Sequence, residues 1–213
     1  MKMKDLCKNH KSKFGDVIAS AFAPGRVNLI GEYTDFNNGL VLPMPLPLGV
    51  YVVISKGPKG LLIANSEQYK KQIKRNIGEV SNGDWTDYLL GAIEVSGINK
   101  NIGLCVSVFS DLPVGASVSS SAAIQVAMLR ALRDAFDLGF DDCEIAKLAQ
   151  KAENEFVGVQ CGLMDQMVIS VGKENSALLF DIQSGQTESY KFFKDILSNL
   201  IFRHKIFFHF RAK

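Results

Sequence analysis

Apolar positions recur along the chain with two periods, one suited to strands and one to helices. Val17–Ala23 alternates loosely and runs into Pro24-Gly25, which predicts a strand ending in a turn. Gly49–Lys56 and Leu61–Asn65 predict two more strands, joined by a turn over Lys56-Gly57-Pro58-Lys59-Gly60. The most apolar stretch, Leu40–Ile54, carries Pro43, Pro45 and Pro47 and is too short to span a bilayer, so it reads as buried strand and turn. Gly103–Ser110 is a β-branched run that predicts a central strand, and Ser176–Asp181 predicts another. Helical spacing marks residues 3–13 as a short basic helix. It marks Asp84–Val95 through Trp85, Tyr88, Leu89 and Ile93, and Ser119–Leu138 as a long helix. Asp141 or Asp142 suits the N-cap of a further helix running to about Phe156. Strands come first in runs and helices follow, so the expected fold class is α+β rather than a doubly wound sheet.

Composition narrows the classes of function. The 213 residues are 47% hydrophobic and 22% charged with a net charge of +2, which suits an ordinary soluble domain and offers no footprint for nucleic acid. Cys7, Cys105, Cys143 and Cys161 form no CxxC pair, and the 3 His do not stand at ligand spacing from them. Reduced thiols in a cytoplasmic protein are the expectation. No apolar run follows Met1-Lys2-Met3-Lys4-Asp5, so no signal peptide is expected. No membrane partner is expected either, and the expected state is a monomer. The basic, aromatic tail Ile201–Lys213 is read as part of an interrupted domain in preference to a membrane or acidic-partner anchor.

Three segments carry chemistry. Leu112–Ala123 follows a predicted strand and opens a predicted helix. Its Gly115, Ala116, Ser117, Val118, Ser119, Ser120 and Ser121 are mostly small, which lets backbone N–H groups approach an anion at a helix start. A plain Ser-rich N-cap needs one serine, not three, and no Walker loop occurs in the chain. The second segment, Pro24–Gly39, is dense in polar groups without strand or helix periodicity. Glu32 and Asp35 could accept hydrogen bonds from a polyol and Arg26 could counter negative charge, while a solvated loop with capping carboxylates would look the same. In the third, Asp165 lies between Met164 and Gln166 at an apolar helix start, where a carboxylate is either satisfied structurally or functional. Glu153, near the end of the preceding helix, can face the same cleft.

Together and in this order, the segments resemble the galactokinase family of the GHMP small-molecule kinases. Gly25–Gly39 is similar to the family's Gly-Arg-Val-Asn-Leu-Ile-Gly-Glu-His-Thr-Asp-Tyr-Asn-x-Gly signature, Pro113–Ala123 to its phosphate loop, and Cys161–Gln166 to its Cys-Gly-x-Met-Asp-Gln. The resemblance runs from about residue 15 to about residue 185. It implies a GHMP-type amino-terminal domain over 1–185 and the start of a truncated, ferredoxin-like second domain over 186–213. It implies ATP-dependent phosphorylation of galactose at the anomeric C1 hydroxyl, with Mg2+ as cofactor. Asp165 would take the proton and Arg26 would stabilise the transferring phosphoryl group. Glu32, Tyr33, Thr34, Asp35 and Gly162 would line the sugar pocket. Gly115–Ser121 would wrap the phosphates, Trp85 and Tyr88 would sit near the adenine, and Ser121 with Glu153 would hold Mg2+.

Three departures qualify what the resemblance implies. Tyr33 stands where the family has His, which could shift sugar choice; the runner-up substrates within the enzyme class are N-acetylgalactosamine and arabinose. Ser117-Val118 replaces Gly-Leu. If that glycine sits at positive φ, Ser117 carries about 1 kcal/mol of strain and weakens ATP binding. The chain also ends before the family's second domain, so little kinase activity is expected from it alone. The competing expectations are a non-catalytic sugar or ATP binder and a non-functional gene product.

Overall fold

The structure, a computed structural model, describes residues 3–31, 34–69 and 71–191. The sugar-loop candidates Glu32 and Tyr33, and the tail Ile201–Lys213, lie outside the described residues. In chain order the elements are α1 (Met3–Phe14), β1 (Val17–Asn28), β2 (Leu40–Val41), β3 (Pro43–Lys56), β4 (Leu61–Ser66), β5 (Gln72–Asn76), α2 (Asp87–Val95), β6 (Leu104–Ser110), α3 (Ser120–Phe136) and α4 (Asp142–Lys151). A π-helical turn (Ala152–Val157), α5 (Met164–Val171), β7 (Ser176–Asp181) and β8 (Thr187–Lys191) follow. The α+β expectation holds.

Alternation on β3 sets the two faces of the main sheet. Val50, Val52 and Ile54 join the core, while the alternate residues Val53 and Ser55 face the opposite side. The five strands run in the order β1-β3-β6-β4-β5, and β6 is central as its β-branched run predicts. All neighbours are antiparallel except β4 and β6. Ala122, Val126 and Leu129 of α3, with Leu89 and Ile93 of α2, cover the core face. Each fully buried side chain of this size contributes about 1.5–3 kcal/mol. On the other face, α1 packs on β1, β3 and β6 through Leu6 and His10, one helical turn apart. A smaller sheet, β2-β7-β8, stands beside this layer.

Two expectations need correction. Pro24-Gly25 does not end β1 in a turn. The strand continues to Asn28, and its register against β3 slips between the pairs Pro24/Gly49 and Arg26/Pro45. Pro47 and Leu48 stand exposed at the slip, and proline there has no N–H to leave unpaired. Gly49 is required at this point because a Cβ would overlap the Ala23 carbonyl. The helix expected to run to Phe156 stops being α-helical at Lys151 and widens into the π-turn. Its start is as expected: Asp141 caps it, accepting the Glu144 N–H at 2.7 Å, while Glu144 accepts the Asp141 N–H at 2.8 Å.

Candidate active site

The slip in the β1–β3 register determines where Arg26 goes, as irregularities of this kind do beside functional sites. The Arg26 backbone N–H donates to the Val118 carbonyl at 3.1 Å, and Nη1 donates to the Ser117 carbonyl at 2.7 Å. The rest of the guanidinium faces Asp165 as a fork: Nε meets Oδ1 at 2.7 Å and Nη2 meets Oδ2 at 2.8 Å. The side chains are 15% and 27% exposed, so the pair is accessible yet partly shielded from water. Asp165 lies in the first turn of α5, and the Ser119 hydroxyl also donates to it. One side chain thus ties the 113–121 loop to the carboxylate.

That loop has an alternating backbone. Gly115, Ser117 and Ser119 have φ of 73°, 52° and 58°. Successive N–H groups in such alternating conformations form concave anion sites. Ser117 therefore sits in the left-handed region, the condition under which strain is expected. The three hydroxyls after it divide their work. Ser119 faces Asp165 and Ser121 faces Glu153, the residue expected to share Mg2+ with it, while Ser120 lines the cleft with those two serines.

Glu153 projects from the π-turn and is buried. Gln166 Nε2 donates to its Oε2 at 2.9 Å, and the Ser121 hydroxyl also bonds it. Burial pushes the carboxyl up from its ordinary value. The two hydrogen bonds oppose this, and the charge of Asp165 adds to it. A carboxylate and a hydroxyl, both hard oxygen donors beside the concave 113–121 loop, fit Mg2+, which keeps several waters and takes few protein ligands. Among the described residues no group of three or more His, Cys, Asp or Glu could hold a metal.

The loop after β1 is closed by its own residues. The Thr34 hydroxyl donates to the Gly31 carbonyl at 2.7 Å and lies 3.0 Å from that of Leu40, so it braces the turn. Asp35 reaches the segment before α5, where a Cβ on Gly162 would overlap its carboxylate. Asn154 holds that segment. Its Oδ1 accepts the Cys161 N–H at 2.9 Å, and its Nδ2 approaches the Cys161 carbonyl at 3.4 Å. Burial pushes the Cys161 thiol up to about 11, and the charges of Glu153, Asp165 and Asp35 add to that.

A cleft of about 600 Å³ opens over the 113–121 loop and Arg26. Its other wall is aromatic: Trp85 and Tyr88, with Tyr69 stacked on Trp85 at a centroid separation of 6.3 Å and 19° between planes.

Residues 8–56 match the family model of the galactokinase galactose-binding signature, and residues 87–173 match that of the GHMP kinases N terminal domain. The chain belongs to the galactokinase family. A galactokinase from Clostridium beijerinckii is 40% identical over 169 residues, covering 75% of this chain and 43% of its own length. The crystal structure of Lactococcus lactis galactokinase complexed with galactose matches with a TM-score of 0.81 at 28% identity, over 89% of this chain and 51% of that one. Methanococcus jannaschii mevalonate kinase shares the fold, with a TM-score of 0.67 at 23% identity over 81% of this chain and 55% of its own. The chain spans about half the length of the galactokinases it matches.

The galactokinase-type segments read from sequence converge here. Arg26 meets Asp165, Ser121 meets Glu153, Asp35 meets Gly162, and Trp85 shares a cleft with the phosphate loop. Asn154 and Tyr69 escape sequence reading, because only the fold brings them to the site. Gln166 lies within the Cys161–Gln166 motif, but its bond to Glu153 shows only in the fold.

Proposed function

We propose that the protein catalyses, or supplies the sugar- and ATP-binding part of, the phosphorylation of galactose at its C1 hydroxyl. The observation that carries this reading is the Arg26 fork on Asp165, with Arg26 also bonded to the Ser117 carbonyl of the 113–121 loop. Galactose would lie against Glu32, Tyr33, Asp35 and Gly162, with Thr34 bracing the loop. ATP would lie along Gly115–Ser121 with its base towards Trp85.

Asp165 takes the proton of the C1 hydroxyl as that oxygen attacks the terminal phosphorus, and the bond to the ADP oxygen breaks. Arg26 holds the carboxylate in line and places positive charge beside the phosphoryl group, and Ser119 fixes the carboxylate from its second side. Phosphoryl transfer asks for this kind of positioning and charge neutralisation. Ser121 and Glu153 would hold Mg2+, which would supply charge neutralisation to the phosphates. Binding alone gives no reason for a carboxylate gripped by a guanidinium fork, so catalysis is preferred to a sensor role. Among the described residues no helix is long and apolar enough to cross a membrane.

Calorimetry with galactose and with ATP–Mg2+, paired with an assay of ADP release, tests the reading. Both ligands are expected to bind, and whatever galactose-dependent ADP release the chain shows is expected to be lost in Asp165→Asn while ATP still binds. A protein that binds neither ligand overturns it.

A further inference from the structure

A buried ion-pair network lies behind the aromatic wall of the cleft. Arg75 is on β5, the edge strand, yet it is only 6% exposed. All three guanidinium nitrogens are engaged. Nε donates to Glu79 Oε2 at 2.6 Å, Nη2 to the Val80 carbonyl at 2.8 Å, and Nη1 to Asp87 Oδ1 at 3.1 Å and Thr86 Oγ1 at 3.3 Å. The second oxygen of Asp87 accepts from Ser81 Oγ at 2.8 Å and from the backbone N–H groups of Asn82 and Gly83 at 3.0 and 2.7 Å. Burial pushes the Asp87 carboxyl up, and the hydrogen bonds from Ser81, Arg75, Asn82 and Gly83 outweigh it, leaving the group below its usual range.

Such a network is a poor source of net stability, because desolvating two charges offsets most of their attraction. Its geometric effect is specific. It gathers the loop from Glu79 to Asp87 around one guanidinium, and Trp85 lies inside that span. Thr86, the next residue, is held by Arg75 on one side. On the other, its N–H and hydroxyl bond Asp84 Oδ1 at 2.9 and 2.8 Å. Trp85 is thus flanked by two fixed residues and presents its ring, stacked on Tyr69, to the cleft of the phosphate loop. We infer that Arg75 and Asp87 are positioning residues for a nucleotide base: by clamping the 79–87 loop they fix the Trp85 plane against which the base stacks.

This rests on the ATP-binding reading above, and the test separates the two. Trp85 is the single tryptophan of the chain, so its fluorescence reports on the platform directly. Arg75→Lys and Asp87→Asn are compared with the parent chain by acrylamide quenching of that emission without ligand. Affinities are measured for ATP–Mg2+ and, separately, for inorganic tripolyphosphate with Mg2+, which has no base. The variants should show stronger quenching and bind ATP about tenfold more weakly, the scale of one base–aromatic stack, with tripolyphosphate affinity unchanged. Equal weakening of both ligands would show a purely structural role and overturn the inference. So would unchanged ATP affinity in the variants. A parent chain that binds tripolyphosphate as tightly as ATP has no base site, and this overturns the ATP reading together with the inference. If Asp87→Asn fails to fold, Arg75→Lys carries the test, since it keeps a cation beside Asp87 while losing the fork to Thr86 and Val80.

Discussion

Ser117 and Glu153 are two residues at which the site works against the fold. A non-glycine residue in the left-handed region costs about 1–2 kcal/mol, and glycine gives back about 0.5–1 kcal/mol through its freedom in the unfolded chain. Ser117→Gly is therefore expected to stabilise the protein by up to about 1 kcal/mol and to tighten ATP binding, measured by thermal unfolding and calorimetry. Unchanged values for both would show that the loop tolerates φ of 52° without strain. Glu153 is strained electrostatically. With its carboxyl raised by burial, the fold favours the neutral form. Its contribution to stability is full below the ordinary Glu value of 4.5 and is lost as pH rises through the raised one. Glu153→Gln is expected to raise the Tm at pH 7 and to leave it unchanged below about pH 4. The same change should weaken the Mg2+ dependence of ATP binding. A lower Tm at pH 7 would contradict this account.

At the scale of elements, α1 carries the clearest pH signature. His10 is buried between α1 and the sheet, with Nδ1 2.8 Å from Ser107 Oγ. Burial, helped by Lys13, pushes its imidazole down to about 4, whereas the unfolded residue titrates near 6.5. The contribution is full above pH 6.5 and is lost as pH falls through about 4, because the unfolded state takes up a proton that the fold refuses. His10→Asn, whose amide can keep the Ser107 contact, should flatten the Tm between pH 6.5 and 4; an unaltered slope would place the acid sensitivity elsewhere. Elements differ in how far sequence reveals them. The helix over Ser120–Phe136 is legible because its apolar period is long and unbroken. The continuation of β1 past Pro24-Gly25 is not, because the same dipeptide marks a turn and only pairing with β3 makes it a slip in a strand. The strand Gln72–Asn76 is polar at four of five positions, and its one buried residue is Arg75, so alternation points the wrong way. The π-turn has no sequence period of its own. The candidate site was legible where a motif holds the residue itself, as with Arg26 and Asp165. It was not legible where the fold alone supplies a neighbour, as with Asn154 against Cys161.

At the scale of the whole molecule, the site exists because segments far apart in sequence close on one another. Asp35 and Gly162 show how tight that closure is. Gly162→Ala places a methyl group where the Asp35 carboxylate lies. Overpacking of this kind costs about 1–3 kcal/mol. The variant is expected to lose galactose affinity more than ATP affinity in calorimetry, and equal losses would argue that the overlap relaxes through the whole domain. The order of strands in the main sheet has a different consequence, for synthesis. The β1–β3 pair and the β4–β5 hairpin are both complete once residue 76 is made, but β6 must be inserted between them, and residues 77–103 come first. At about 5–20 residues per second, those 27 positions take roughly 1–5 s to translate. For that interval β3 and β4 each present an open hydrogen-bonding edge, and every nascent chain on a polysome carries the same two edges. Crowded translation of this protein is thus the moment at which neighbouring copies can pair with each other in place of β6.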